Sequence, residues 1–543
     1  MGLRRAFACG VLGVVLVACT DPPTPDAGVD AGPDAVDAGG DAGAEIHLQI
    51  LGITDFHGRV LPEPGVPGAS ALAAQIAALE AEAPNSLLVS SGDLIGGSTL
   101  ASGLLRDEPA LDVMDLMGLD VSTVGNHEFD RPFAELERLL EGGCHPDDGC
   151  FDPSRPYDGV SFPMLGANVV VAATGEPALT PYVVVEVAGV RVGFVGITLA
   201  GTARIVFAPY LEGLSIEDEA DTVNRYLPRM RADGAEVIVV LIHKSVSDAS
   251  DCASPIGGAW YDVERFDPGV DAVFMGHNHV QYACEQADRV FVSAGRWGDV
   301  VADVDLTFDT TTRTVVERHA RLVPVDPTGT VPAVDAYLAW LEGIVGPRAA
   351  REVGRITADI SNDASVDASQ PAGFLVADAI LAAVPGADVA FTNVGGTRTT
   401  LRYAASGDET EDGIVTYAEL YAMLPFGNDV LTMTLTGAQL EALLEEQGRN
   451  GILQPSASLR YTFATSGDPI DPAEVFIDGA PLDRAASYRV AVNSYIAEGG
   501  DGFTTLPMGT ERTPGPPLLD VVEAYLAASS PYAPPALDRI SLR

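Results

Sequence analysis

The sequence predicts two α/β domains joined by a helix. Three observations carry that prediction. The chain has 543 residues, too many for a single hydrophobic core. Strand-like apolar runs alternate with helical patterns along most of its length, and the series restarts part-way. One amphipathic stretch, "PAVDAYLAWLEGIV", bounded by Pro332 and Pro347, separates the two series.

The elements follow in order. Residues 1–19 read as an export signal. Arg4 and Arg5 form a positive n-region, and Ala6 to Ala18 an apolar stretch too short to span a bilayer. It ends in "LVAC", which resembles the lipobox of bacterial lipoproteins, with Cys19 as the lipidated residue; an ordinary secretory signal is the alternative. "RRAF" matches a twin-arginine signal only in part, so the general secretory route is favoured. Residues 20–45 are rich in Asp, Gly, Ala and Pro without a periodic apolar face, which predicts a disordered acidic tether. No later apolar run is long enough to span a membrane.

Residues 46–328 form the first domain. A β-type run ends at "GITD". An Ala-rich helix (Ala69 to Ala83), the strand "SLLVS", a helix from about Pro109 to Met117, the strand "VSTV" and a helix from Pro132 to Leu140 follow. "VRVGFVGIT", "AEVIVVLIH", "VDAVFMG" and "RVFVSAG" are further strands. Residues 329–351 hold the linker helix. Residues 352–543 repeat the alternation, with helices in "AGFLVADAILAAV", "YAELYAML" and "GAQLEALLEE" and strands in "DVAFTN" and "DVLTMTL".

Charge narrows the function. Lys plus Arg total 31 against 77 Asp plus Glu, a net −46. A chain that displaces counterions from nucleic acid needs a basic surface, so nucleic-acid polymers are excluded as partners. A small anion can still bind where metal cations or a few arginines reverse the field locally. No feature names a protein partner. Cys144, Cys150, Cys252 and Cys284 allow three pairings. Cys144 and Cys150 flank a short loop, which leaves Cys252 with Cys284. No C-x-x-C is present, so disulfides are favoured over zinc.

The chemistry lies at strand ends. "GITDFHG" offers Asp55 and His57, "VSSGDLIGG" Asp93, "STVGNHEFD" Asn126, His127 and Asp130, "VVLIHKS" His243, and "VFMGHNHV" His277 and His279. Open α/β sheets place their sites at such ends. Five of the eight histidines lie in these turns. Taken singly, each residue has an ordinary explanation: a helix cap, a Gly-Asp turn, a core histidine. Jointly, carboxylates, an amide and imidazoles suit two borderline divalent ions: Zn, Mn, Co or Fe. Asp-x-His and His-x-His spacing puts both side chains on one face of an extended segment.

This series resembles the calcineurin-like metallophosphoesterases. From Glu45 to Arg543 the chain is similar to the 5′-nucleotidase family, which includes UDP-sugar hydrolases. The resemblance implies an N-terminal layered αββα domain, a linker helix and a second α/β domain that binds the nucleotide. It implies Asp55, His57 and His279 on one metal, Asn126, His243 and His277 on the other, and Asp93 bridging. His127 and Asp130 would be the catalytic dyad, and metal-activated water would attack phosphorus in line. Glu128 would act behind the ligands or on a helix N-terminus. In the second domain "FTNVGGTR", "LPFGND" and "SYIAEGGDGF" match family motifs. They imply a base sandwich of Phe426 and Tyr495, with core packing as the alternative. Asn393 would contact adenine, Asp501 ribose and Arg398 phosphate.

One departure stands out. Where the family carries phosphate-binding arginines, this chain reads "SVDASQPAGFLVADA", with Gln370, Pro371 and Phe374. Arg59 would compensate in part, with a solvated surface arginine as the alternative. The expected function is an exported, lipid-anchored, metal-dependent hydrolase of nucleotides. 2′,3′-Cyclic nucleotides and UDP-sugars are alternative substrates. A non-nucleotide ester hydrolase and a catalytically dead binding lipoprotein are the rival readings.

Overall fold

The computed structural model describes residues 45–365, 368–405, 409–463 and 470–543. The export signal, Cys19 and residues 20–44 of the tether lie outside the described residues. The first strand already begins at Glu45, which pairs with Asp309, so the last residue assigned to the tether belongs to the fold.

Two six-stranded sheets lie face to face. The first has the order Thr314–Pro324, Val300–Asp309, Glu45–Ile53, Ser86–Ser90, Val121–Thr123, Met164–Leu165. The second runs Gln281–Glu285, Val290–Ala294, Ala272–Met275, Val237–His243, Val190–Thr198, Tyr182–Val187. Central strands of each are parallel, and hairpins add antiparallel edges. Alternate side chains of both sheets, Leu48, Ile50 and Val89 against Val192, Val239 and Phe274, bury one another. The approach is close at Gly52, where a Cβ would stand 2.4 Å from the Phe274 ring, so no larger residue fits.

Helices cover the outer faces. Gly68–Glu80, Glu108–Met117 and Phe133–Glu141 pack on the first sheet, and Glu219–Ala232 on the second. The result is the αββα layering expected. The linker helix, Pro332–Ala349, is more than a connection. Its Val334, Tyr337, Leu338, Leu341 and Val345 are buried in the outer core of the first sheet. Ser70 Oγ donates to Asp335, and Trp340 Nε1 to Asp152.

The second domain is built on a five-stranded sheet in the order Gln454–Pro455, Val389–Thr392, Ser487–Asn493, Asp429–Thr436, Thr510–Pro517. Pro371–Ala383 and Leu518–Ser529 share one apolar cluster against it, and Gly437–Asn450 contributes to another. Capping boxes start two helices: Thr416 with Glu419, and Thr436 with Gln439. Tyr421 Oη donates to the carbonyl of Ser98, and Tyr210 Oη to Asp429, so the two domains touch beside the first domain's strand-end loops.

Candidate metal centre

The loops that follow five strands converge. Asp55 and His57 follow Glu45–Ile53, Asp93 follows Ser86–Ser90, Asn126 and His127 follow Val121–Thr123, His243 ends Val237–His243, and His277 and His279 follow Ala272–Met275. Two groups of potential ligand atoms result. In one, Asp55, His57 and His279 lie within 4.8 Å of one another; in the other, Asp93, His243 and His277 do. Asp93 also reaches His57, with Oδ2 3.8 Å from Nε2, so it stands between the groups.

The backbone achieves this differently from the extended geometry the spacing suggests. Asp55, His57, Asp93, His277 and His279 all have positive φ, from 49° to 83°. Left-handed backbone is costly for residues other than glycine. Here it turns each loop so that both members of Asp-x-His and His-x-His point inward. Glu128 secures the turns. Its buried carboxylate accepts backbone N–H bonds from Gly125, Asp93 and Leu94 at 2.5, 3.0 and 2.8 Å. It therefore ties the Asp93 loop to the Asn126 loop. Burial, and then Asp93, push its pKa up to about 7.

The donor set fits cations. His57 Nδ1 is bonded to the carbonyl of Gly96 and His243 Nδ1 to that of Ser91, both at 2.8 Å. A carbonyl only accepts, so each Nδ1 carries a proton and Nε2 is the nitrogen left for a cation. His57 Nε2 then faces His279 Nε2 at 3.2 Å. His243 Nε2 lies 2.9 Å from Asp93 Oδ2 but without hydrogen-bond geometry. Asn126 Oδ1 is also buried without a partner. A buried amide oxygen and a buried imidazole nitrogen without partners among the described residues are what a cation resolves.

Without a cation the charges lean on one another. Burial opposes ionisation of Asp93, yet His243 and His127 hold it far below the usual carboxylate range. Burial is likewise outweighed at Asp55 by His279 and His243. His277 is pushed down to about 4 by burial and by His243. His243 is lifted to about 9 because Asp93 overcomes its burial.

His127 is placed differently. Its backbone N–H donates to Asp93 Oδ1 at 2.9 Å, and its Nδ1 lies 2.7 Å from Asp130 Oδ2. Its ring meets that of His57 edge-on at 5.0 Å. Burial alone would lower its pKa, but Asp130 and Asp93 raise it to about 10.

In the second domain, Asn393 Nδ2 donates to Asp501 Oδ2 at 2.8 Å and Tyr495 Oη to Asp501 Oδ1 at 3.0 Å. Asn393 and Asp501 line a cleft of about 250 Å³ with Gly451, Ile452 and Phe503. Phe426 and Tyr495 are 37% and 40% exposed, which rules out the core-packing alternative for both. Arg398 holds its guanidinium 5.7 Å from the Phe426 ring centre. Two positioning residues were not read from the sequence. Asn428 Oδ1 accepts the Tyr495 N–H, and Asn493 Nδ2 donates to Asn393 Oδ1. Their signal was present in "FGND" and "VNSY", each at a strand end. Arg59 is engaged: Nη1 donates to Glu63 at 2.8 Å and the guanidinium lies 4.4 Å from the centre of Trp297. Gln370 joins a buried network with Thr397 and Gln454, and Phe374 is core. Disulfides join Cys144 to Cys150 and Cys252 to Cys284, the pairing expected.

Two facing sheets, helices outside, and His/Asp clusters at strand ends define the calcineurin-like phosphoesterase class. Residues 48–281 match the calcineurin-like phosphoesterase family model, and residues 352–507 match the 5′-nucleotidase C-terminal domain. The chain thus carries a calcineurin-like phosphoesterase domain followed by a 5′-nucleotidase C-terminal domain. It is 32% identical over 89% of its length to "Endonuclease YhcR" of Bacillus subtilis, and 31% identical over 85% to "Cell wall protein Lmo0130" of Listeria monocytogenes. It spans 40% and 64% of those two relatives. A solved 5′-nucleotidase precursor from Thermus thermophilus shares its fold, with a TM-score of 0.64 at 24% identity over 92% of this chain and 99% of that one.

Proposed function

We propose that the protein is a metal-dependent phosphohydrolase that releases phosphate from nucleotides outside the cytoplasm. The observation that carries this is the pair of His/Asp groups with Asp93 standing between them, and the His127–Asp130 pair beside them. Asp55, His57 and His279 would hold one divalent ion and Asn126, His243 and His277 the other, with Asp93 between. When bound, such ions (Zn, Mn, Co or Fe) supply Lewis acidity toward phosphoryl oxygens and water.

The chain's own residues do the rest. Asp130 fixes the His127 ring through Nδ1 and favours its charged form, which leaves an N–H at Nε2 for a phosphoryl or leaving-group oxygen. Phe426 and Tyr495 would stack on the base, Asn393 would contact it, Asp501 would take ribose hydroxyls and Arg398 a phosphate. With Arg59 paired to Glu63 and Gln370 in place of a clamp arginine, phosphate recognition falls mainly to Arg398 and the ions.

Two disulfides and the Listeria relative's description as a cell wall protein support an extracytoplasmic setting. No helix among the described residues is long and apolar enough to cross a membrane. A lipid anchor at Cys19 after cleavage would supply attachment, with residues 20–44 as spacer, the phosphoesterase domain over 45–328, the linker over 329–351 and the nucleotide domain over 352–543.

The test is hydrolysis of a panel, read as inorganic phosphate for nucleoside mono-, di- and triphosphates and a non-nucleotide phosphoester, and by chromatography of the products for 2′,3′-cyclic nucleotides, UDP-sugars and single-stranded DNA. Chelator-sensitive turnover with preference for nucleotides is expected. Equal turnover of a simple aryl phosphate and AMP would refute the nucleotide reading. The DNA arm addresses the Bacillus relative's name; the net charge of −46 argues against a polymer.

A further inference from the structure

Arg296 and Trp297 follow the strand Val290–Ala294 and reach the rim of the metal centre. The Trp297 backbone N–H donates to the carbonyl of Asp55 at 2.9 Å, in a left-handed conformation, φ 61°. A bulky residue keeps such backbone only where its surroundings demand it. The indole carries two guanidinium groups, Arg296 at 3.9 Å from the ring centre and Arg59 at 4.4 Å. The two arginines differ in their partners. Arg59 is neutralised by Glu63. Arg296 is exposed and forms no ion pair among the described residues. Asp299 feels the guanidinium charge without forming an ion pair with it, and its Oδ2 accepts from Gln281.

Among the described residues, the side chain within hydrogen-bonding distance of Arg296 is His279, with Nη1 3.4 Å from Nδ1. That contact conflicts with the role proposed for His279. Its Nε2 faces the cluster, 3.3 Å from Asp55 Oδ1. A neutral imidazole that gives its Nε2 lone pair to a cation carries its proton on Nδ1. Nδ1 is then a donor, and a guanidinium has only donors. The two cannot bond. With a cation on His279, Arg296 would be left stacked on Trp297, beside the reacting centre, without a hydrogen-bond partner among the described residues, in a chain of net charge −46.

We infer that Arg296 is a specificity-determining residue that binds a second phosphoryl group of the substrate, next to the one being hydrolysed, so that nucleoside diphosphates and their esters are favoured over monophosphates. Trp297 is the positioning residue that keeps the guanidinium at the rim. This deepens the proposed function and rests on it.

The test uses the full, metal-loaded protein and equilibrium binding. Titration calorimetry compares a methylene-bridged nucleoside diphosphate with the matching nucleoside monophosphonate, neither of which turns over. Wild type, Arg296→Ala and Arg296→Lys are measured, with metal content determined for each. The preference for the diphosphonate should fall about tenfold or more in Arg296→Ala, the scale of a lost charge-assisted hydrogen bond, and recover in part in Arg296→Lys. Metal stoichiometry should stay at the wild-type value. A preference that moves by less than about twofold overturns the inference and leaves the proposed function standing. Loss of one metal equivalent in Arg296→Ala also overturns it, because the arginine would then act through His279. Absence of binding of either analogue to wild type removes the nucleotide reading and this inference together.

Discussion

Glu128 offers the sharpest test of how the centre is held. Glu128 is 2% exposed, and its carboxylate is the one acceptor among the described residues for three backbone N–H groups. Oε2 takes Gly125 and Asp93, and Oε1 takes Leu94. In Glu128→Gln the amide oxygen can keep the first two, but the NH₂ then opposes the Leu94 N–H, donor against donor. One buried donor is orphaned, a loss of about 1–3 kcal/mol. In Glu128→Ala all three are orphaned, and about 3–6 kcal/mol is expected even if water partly enters. By calorimetry, each kcal/mol corresponds to about 2–4 °C in the melting temperature of a domain of 150–250 residues. The Ala variant should therefore melt roughly 6 °C or more below wild type, with Gln between. Because the bonds join the loops of Asp93 and Asn126, metal affinity measured by chelator competition should weaken about 10–100-fold in Ala. If both variants melt with wild type, or Gln is worse than Ala, the N–H accounting is wrong.

Three further outcomes are expected. His127→Ala should retain its metals by elemental analysis yet lose about 10²–10⁴-fold in kcat, because a proton donor is removed and the cation ligands are left. Tyr495→Ala and Phe426→Ala should each weaken equilibrium binding of a nucleoside monophosphonate by about tenfold, with little change toward a non-nucleotide phosphonate, since one stacking face is lost. Of the two disulfides, Cys252–Cys284 closes the larger loop, with a sequence separation of 32 against 6. In the chain-entropy account, replacing that pair by Ser should cost about 4 kcal/mol and replacing Cys144–Cys150 about 2 kcal/mol, measured by denaturant or thermal unfolding.

The fold was legible where periodicity is strong. Buried parallel strands such as Val237–His243 read as continuous apolar runs, and the order of elements follows from them. The linker helix was legible as a helix but not as a lid on the first sheet, because its pattern shows an apolar side and not the surface it meets. The site was legible because chemistry-bearing residues cluster at strand ends. The geometry that brings them together was not. Asp-x-His reads as extended, whereas both residues adopt left-handed backbone, a conformation that sequence marks only when glycine occupies it. Glu128 shows the same limit. One glutamate in "GNHEFD" carries no sign that its carboxylate will collect three amides from two loops.

The neighbours Asn126 and His127 show how a backbone divides labour that composition leaves ambiguous. By donor strength the histidine is the better ligand. His57, Asp93 and His127 do form a third group of ligand atoms within 4.8 Å. Yet the two residues spend their atoms differently. Asn126 Oδ1 is buried without any partner, so it has an acceptor to give. His127 has Nδ1 on Asp130 and lies among carboxylates that raise its pKa to about 10. Its Nδ1 is thereby committed to a carboxylate and not to a cation. A third cation there would also compete for Asp93, whose oxygens already serve His243 and the His127 N–H. The weaker ligand is thus the one free to bind metal. The stronger one is tied by Nδ1 to Asp130, which ends the one-turn helix His127–Phe129, and that makes the difference.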